Sequence, residues 1–339
     1  MRKGLNPHKD KVHEPIGFFH QVVVPVYIPN QEEYFKDSFT ILKYCLSSLF
    51  KTSHNKTYFT IVNNGSCIEV KEYLDNLFNT NQIHEIVNTS NIGYINAMLK
   101  GIVGHNFKFL TTTDSDVLFL NGWQKESYMI FNSFPKAGAV SPSPNSKMLK
   151  SLTNNVLCEN IFSKKVKFSN VKNPSAMLEF AKSINYINLF NEVNLKKYLT
   201  INNGKSIAVI GASHFAVTYR SDIFDSLEKK STKFILGGDS DLLFDYPVVK
   251  KGYWRLSTED NFAYHMGNTI EDWMLDIFED LIENDNNKVK SNICLSEIKT
   301  NPLLNWLNLK VFSKILFKNP FWKLFLRYKG LSRIEADNY

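Results

Sequence analysis

The run Phe107-Lys108-Phe109-Leu110-Thr111-Thr112-Thr113-Asp114-Ser115-Asp116-Val117-Leu118-Phe119-Leu120 constrains this chain more than any other stretch. It is apolar and β-branched on entry, carries two carboxylates one residue apart, and is apolar again on exit. Short apolar runs rich in Thr, Val and Phe predict a buried strand. Two acids at the end of such a strand are costly unless something pairs with them. A divalent cation is the natural partner, because hard cations favour carboxylate oxygens. A solvated turn after a strand would carry the same three residues, so the surrounding sequence has to decide.

At 339 residues, with 43% hydrophobic and 14% aromatic residues, the chain can bury a large core. Its four cysteines (Cys45, Cys67, Cys158, Cys294) have no Cys-x-x-Cys spacing, which excludes a zinc ribbon or disulfide scaffold and fits a reducing cytoplasm. Met1-Arg-Lys-Gly-Leu-Asn-Pro-His8 is positive without an apolar stretch behind it, so no signal peptide is expected. No stretch is apolar for long enough to predict a membrane span. The net charge of +7 is concentrated at one end. Lys299, Lys310, Lys314, Lys318, Lys323, Arg327, Lys329 and Arg333 lie between Glu297 and Glu335 with no acid among them, and they outnumber the whole net charge. The basicity therefore belongs to a tail, which argues against a nucleic-acid partner.

Read in order, the chain alternates strands and helices. His20-Gln-Val-Val-Val-Pro25-Val-Tyr27 predicts a buried strand, and residues 33–53 a helix with Phe35, Phe39, Leu42, Leu46 and Leu49 at helical spacing. Residues 58–62 form a second strand, ended by the turn signal Asn63-Asn64-Gly65-Ser66. A helix over 70–78, a strand over 83–87 and a helix from Asn91 to about Val103 lead to the strand before Asp114. Beyond it, a helix runs from Trp123 to about Ser133 and a strand covers 137–141. Residues 142–206 are rich in Asn, Ser and Lys and read as an insertion, helical over about 176–199 and loop elsewhere. Strands are expected over 207–212, 215–219 and 254–258, a loop opening a helix over 237–244, and an acidic amphipathic helix over 270–283. Alternation of this kind predicts an α/β fold with a mostly parallel central sheet, which binds ligands at the carboxyl ends of its strands. Asn63-Asn64 and Asp114-Ser115-Asp116 both stand at such ends, as a nucleotide site requires.

Together these motifs resemble glycosyltransferase family 2, inverting enzymes of the GT-A (Rossmann-like) nucleotide-diphospho-sugar fold. The resemblance covers about Val22 to His265, with the insertion unmatched. The first strand is similar to the family's opening strand and implies nucleotide-sugar contacts at Pro25 and Tyr27. Ile61-Val-Asn63-Asn64-Gly65-Ser66 resembles its second nucleotide turn, with Asn63 where the family commonly has Asp. Asn91-Ile-Gly93 resembles the segment before the metal motif, and Asp114-Ser115-Asp116 the metal motif itself. Gly238-Asp239-Ser240-Asp241-Leu242 resembles Glu-Asp-x-Asp-Leu, with Gly238 replacing Glu, which puts Asp239 at the catalytic-base position. His265 stands where a histidine completes the metal or diphosphate site. The resemblance thus implies Mn²⁺ or Mg²⁺ on Asp114, Asp116 and His265, and a nucleoside-diphosphate sugar, UDP-linked by preference, on Pro25, Tyr27, Asn63, Asn64, Asn91, Gly93, Asp114 and Ser115. The implied acceptor is a glycan or lipid-linked hydroxyl in bacterial surface polysaccharide synthesis (O-antigen, capsule or lipooligosaccharide).

The same residues have plainer readings. Asp239 and Asp241 could cap the following helix, Asn63 and Asn64 could build a turn, and His265 could be an ordinary half-buried histidine. His214 and Arg220 flank a strand and could reach the acceptor or the diphosphate. A nucleotidyltransferase would use the same fold, but it would carry a Gly-rich basic loop where Tyr27-Ile-Pro-Asn-Gln-Glu-Glu stands. A non-catalytic membrane-associated binding protein is the other alternative. The division expected is residues 1–268 as the GT-A domain and 269–339 as a helical C-terminal region. In the tail, Asn301-Pro302 and Asn319-Pro320 each read as an Asn cap with Pro in the first turn. The lysine-interleaved apolar helices that follow predict a peripheral anchor on the anionic inner face of the cell membrane, a helical pair packed on the core, or a dimer contact.

Overall fold

His20–Val26 (β1) is buried along its whole length. Val22, Val24 and Val26 pack with Ile41, Leu42 and Leu46 of the helix Ser38–Thr52 (α1) and with Leu74 of the helix Ile68–Asn79 (α2). Val23 faces the other side and joins Ile95, Met98 and Leu99 of the helix Tyr94–Ile102 (α3). Alternate side chains of a strand point to opposite faces, so an unbroken apolar run demands helices on both. The computed structural model describes residues 4–6, 8–11, 17–225, 231–238, 240–283, 293 and 295–339.

Thr57–Asn64 (β2), Glu85–Thr89 (β3) and Phe109–Thr113 (β4) surround β1 as a parallel block in the order β3-β2-β1-β4. Val117–Phe119 (β5) then leaves the sheet. Ala137–Ser141 (β6), Val166–Asn170 (β7), Lys197–Asn202 (β8), Ile207–Ile210 (β9), Ala216–Arg220 (β10) and Trp254–Ser257 (β11) complete ten strands in the order β3-β2-β1-β4-β10-β6-β11-β9-β8-β7. Seven run in one direction, and β7, β9 and β10 oppose them. The sheet is therefore mostly parallel in direction within a mixed α/β fold. Ala263–His265 (β12) pairs with β5 as a separate antiparallel ribbon, with His265 opposite Val117.

Two segments differ from the sequence reading. Residues 142–206 are no loose insertion, because β7 and β8 extend the main sheet. The helix expected over 176–199 is two short helices, Pro174–Ser183 and Glu192–Lys196, and then a strand in which Tyr198, Leu199, Thr200 and Ile201 are all buried. Pairing on both edges outweighs the helical spacing there. The helix expected over 270–283 is shorter, Asp272–Glu279.

The tail helices Ser313–Leu316, Asn319–Tyr328 and Arg333–Asn338 pack on the far half of the sheet, while Pro302–Leu307 buries no residue and is tied by Asn305 to the carbonyls of Val249 (3.1 Å) and Lys250 (2.7 Å). Leu316, Trp322, Phe325 and Leu326 share a core with Val156, Leu199 and Ile210. Lys329 is buried, donating to the carbonyls of Asn160 (3.0 Å) and Ser163 (2.9 Å), while its own carbonyl accepts the Phe168 N–H.

Under the parallel block lies a buried polar chain. The Lys56 backbone N–H donates to His54 Nδ1 (3.1 Å), so the His54 proton sits on Nε2 and donates to Tyr128 Oη (2.9 Å). The Tyr128 phenol then donates to His20 Nδ1, and His20 Nε2–H to Thr111 Oγ1 (2.7 Å). Burial pushes His20 well below the usual imidazole range and His54 down to about 4. Both titrate below their unfolded value of about 6.5, so the stability they hold is complete above that pH and is lost as pH falls through it. The part of the urea midpoint contributed by these two histidines should drop between about pH 7 and about pH 4.5. His54→Gln should flatten that drop and cost about 1–3 kcal/mol at neutral pH; an unchanged pH slope in the variant would refute the assignment.

Candidate active site

The carboxyl ends of β1, β2 and β4 and the first turn of α3 surround a cleft of about 670 Å³. The apolar run of β4 carries the chain to the cleft floor, where the Asp114 N–H donates to the Phe215 carbonyl (2.8 Å) and the Met266 N–H donates to the Asp116 carbonyl (2.8 Å). These two bonds pin the Asp-Ser-Asp turn between β10 and β12. The β5–β12 register then brings His265 beside Asp116.

His265 Nε2 lies 3.5 Å from Asp116 Oδ2. Its Nδ1 is 2.8 Å from Ser183 Oγ, whose own proton goes to the Phe180 carbonyl (2.8 Å). Ser183 can therefore only accept, which places the imidazole proton on Nδ1. Phe180 and Phe215 pack edge-on against the ring. That burial holds His265 below the usual imidazole range, against the pull of the Asp114 charge. A neutral ring with a bare Nε2 lone pair thus faces a carboxylate oxygen, and Asp116 Oδ1 is buried with no hydrogen-bond partner among the described residues. Asp114 takes the Tyr94 phenol on Oδ1. Burial pushes both carboxyls up, and the neighbouring Asp116 charge adds to the rise at Asp114.

One ligand atom from each of Asp114, Asp116 and His265 lies within 4.8 Å of the others. Two carboxylates, a neutral imidazole nitrogen and an orphaned carboxylate oxygen fit a divalent cation of the Mn²⁺ or Mg²⁺ kind, with Ser183 fixing the histidine tautomer from behind.

The other residues singled out in the sequence divide into two groups. Pro25, Tyr27, Asn64, Asn91 and Ser115 line the cleft with Asp114. Asn64 Oδ1 accepts the Ile92 N–H (2.9 Å), which ties β2 to the loop before α3. Asn63 does not line the cleft: its side-chain Nδ2 donates to Asn88 Oδ1 (2.9 Å) and its Oδ1 accepts the Ser66 N–H (3.0 Å). Gly93 does not line it either. It has φ +89°, and the Phe234 carbonyl lies 2.7 Å from where a Cβ would stand, so the close approach of that loop requires glycine. Asp239 lies outside the described residues, while Gly237 and Ser240 line the cleft. His214 also lines it; Arg220, at the other end of β10, is instead in a two-pronged ion pair with Asp222 (2.7 and 2.8 Å). Tyr94 and Ser183 were not read from the sequence. Ser183 has no motif around it, and Tyr94 follows Gly93 without any local sign of a carboxylate partner.

No family model matches the chain, and no curated protein matches it. Among solved structures it is similar to a mannosyltransferase from Pyrobaculum calidifontis in complex with GDP-Man and Mn²⁺, at 13% identity and TM-score 0.41, over 73% of this chain and 57% of that one. It is also similar to S. aureus TarS 1–349, at 13% identity and TM-score 0.43, over 92% and 81% of the two chains. TarS 1–349 in complex with UDP gives 12% and 0.42, over 88% and 72%. This chain thus spans little more than half of the mannosyltransferase. At such distances the functional case rests on the side chains of the cleft.

Raised carboxyl values mean that the contribution of Asp114 and Asp116 to the stability of the metal-free chain falls as pH climbs from the unfolded carboxylate range, about 4, toward neutrality. A cation held between the two carboxylates would relieve that loss. The rise in Tm on adding Mn²⁺ should therefore be larger at about pH 8 than at about pH 5.5. Asp116→Asn should abolish the rise and lift the metal-free Tm at the higher pH; an equal Mn²⁺ response in the variant would remove Asp116 from the site.

Proposed function

We propose that the chain is a metal-dependent, inverting glycosyltransferase of the GT-A kind. It would move a sugar from a nucleoside-diphosphate sugar, UDP-linked by preference, to a hydroxyl of a glycan or lipid-linked acceptor in bacterial surface polysaccharide synthesis. The observation that carries this reading is the His265 Nε2 lone pair facing Asp116 beside Asp114, at the floor of a cleft where parallel strands end.

Asp114, Asp116 and His265 would hold the cation, and Pro25, Tyr27, Asn64, Asn91 and Ser115 would bind the nucleotide portion from the cleft wall. Bound there, a divalent cation supplies Lewis-acid neutralisation of the charge that develops on the diphosphate. Asp239 is the proposed base, taking the acceptor's proton as its oxygen attacks the anomeric carbon; cleft-lining Gly237 and Ser240 on either side support that assignment. One base and one direct displacement invert the anomeric centre. A thermal-shift and hydrolysis panel of nucleotide sugars, with and without Mn²⁺, should give a metal-dependent shift with one donor. Asp239→Asn should abolish transfer and keep that shift. If no nucleoside diphosphate shifts the folded chain, the enzyme reading falls.

The tail supports a second element of the proposal, a membrane-surface anchor on the inner face of the cell membrane. Its inner side is committed to the core through Trp322, Phe325 and Leu326, yet Leu303, Leu304, Trp306, Ile315, Phe321 and Leu324 are exposed in the same stretch of chain as exposed Lys310, Lys314 and Lys318. Apolar side chains among cations suit an anionic bilayer surface. Among the described residues no helix is long and apolar enough to cross a membrane. The full chain should float with vesicles containing about one-third anionic lipid and not with neutral ones. A variant carrying Leu304→Ser, Trp306→Gln and Leu324→Ser should stay in the dense fraction with its Tm unchanged; flotation of that variant would dismiss the anchor.

A further inference from the structure

A second histidine of the cleft is built the opposite way from His265. His214 Nδ1 lies 2.9 Å from Asp245 Oδ2, and its Nε2 lies 3.9 Å from Asp241 Oδ1. The short contact places a proton on Nδ1, and the carboxylates of Asp245 and Asp241 on either side of the ring favour its charged form, which carries a proton on Nε2 as well. Asp245 is 1% exposed and is held by Arg255, itself 0% exposed, at 3.0 Å, while the Tyr219 phenol donates to its Oδ1 (3.3 Å). Arg255 is locked in turn by the carbonyls of Ser151 (2.6 Å) and Ala212 (3.0 Å). A buried Arg–Asp pair thus serves as a rigid bracket for a histidine whose side chain is 44% exposed on the cleft side.

The cluster His214, Asp241 and Asp245 has the donor atoms of a second cation site. The bracket argues against that use, because Arg255 already places a positive charge 3.0 Å from the Asp245 oxygen that a metal would need. Burial alone would lower His214, but the Asp245 hydrogen bond and charge outweigh it and hold the imidazole above its usual range. His214 is also close to the acidic turn along the chain: its neighbour Phe215 gives its carbonyl to the Asp114 N–H.

We propose that His214, aimed by Asp245 and Arg255, is a fixed cationic hydrogen-bond donor of the cleft, giving its Nε2–H to a diphosphate oxygen of the bound nucleotide. This rests on the glycosyl-transfer reading above and adds a residue to it. In the transfer step the acceptor oxygen bonds the anomeric carbon, the bond from that carbon to the diphosphate oxygen breaks, and its electron pair stays on the diphosphate. The acceptor's proton goes to the carboxylate base. His214 transfers no proton; it stabilises the charge on the departing group. Asp245 is a positioning residue, acting only through His214.

The test uses the full chain with Mg²⁺–UDP and Mg²⁺–GDP, followed by calorimetric titration and by the imidazole nitrogen resonances of labelled histidine. The His214 signals are assigned by their loss in His214→Gln. Expected are a shift of the His214 Nε2 signal on saturation, binding about tenfold or more weaker in His214→Gln, and Mn²⁺ stabilisation unchanged in that variant. Asp245→Asn should weaken binding in the same direction and release the His214 signals from their bracketed position before nucleotide is added. If the wild-type chain binds a nucleotide while the His214 signal stays still and His214→Gln binds equally well, His214 does not touch the diphosphate and the proposal is overturned while the parent reading stands. A wild-type chain that binds neither nucleotide overturns both.

Discussion

Two carboxylates one residue apart, set where a fully buried strand runs out, repel each other and resist desolvation. The structure meets that cost by holding Asp114 and Asp116 from several sides. The Phe215 carbonyl and the Met266 amide fix the backbone on either end of the turn, and the Tyr94 phenol takes one oxygen of Asp114. β5 and β12 exist as a separate ribbon because the chain, having delivered the turn, must leave the main sheet and be met again by residues far downstream. The cleft, the histidine beside it and the placement of β10 all follow from holding that turn in place.

Within this cleft two histidines are driven to opposite proton states by what surrounds them. His265 is packed between phenylalanine rings, and a serine that has no proton to spare fixes its tautomer, leaving a lone pair. His214 is more open and faces carboxylates on both nitrogens. Burial with a single acceptor yields a ligand, and exposure between two acids yields a cation. A diphosphate bound there, as proposed, would gain from both, a cation held by one histidine and a fixed charge on the other.

Legibility in the sequence tracked how local each cause was. The β1 valines, the apolar faces of α1 and α3 and the acidic turn at the end of β4 depend on neighbours within a few residues, and their spacing predicts them. Residues 197–199 read as the end of a helix in isolation and instead begin β8, because strands on both edges claim its backbone groups. The tail was open between three readings since its helices are apolar on more than one side; in the fold, one side is core and another is exposed. Asn63 matches a nucleotide turn by position, yet its amide is consumed by Asn88.

By itself, the sequence determined the α/β alternation, the burial of β1 on two faces and the presence of paired acids at a strand's end, because hydrophobic period and turn chemistry act over a handful of residues. Only the tertiary structure decided which distant side chains complete the site. Ser183, Asp245 and Arg255 lie on separate elements, and no local pattern encodes that Ser183 accepts rather than donates behind His265 or that Arg255 braces Asp245 behind His214. Such relations arise from sheet order and strand register, which bring these residues within hydrogen-bonding distance only once the chain has closed around its core.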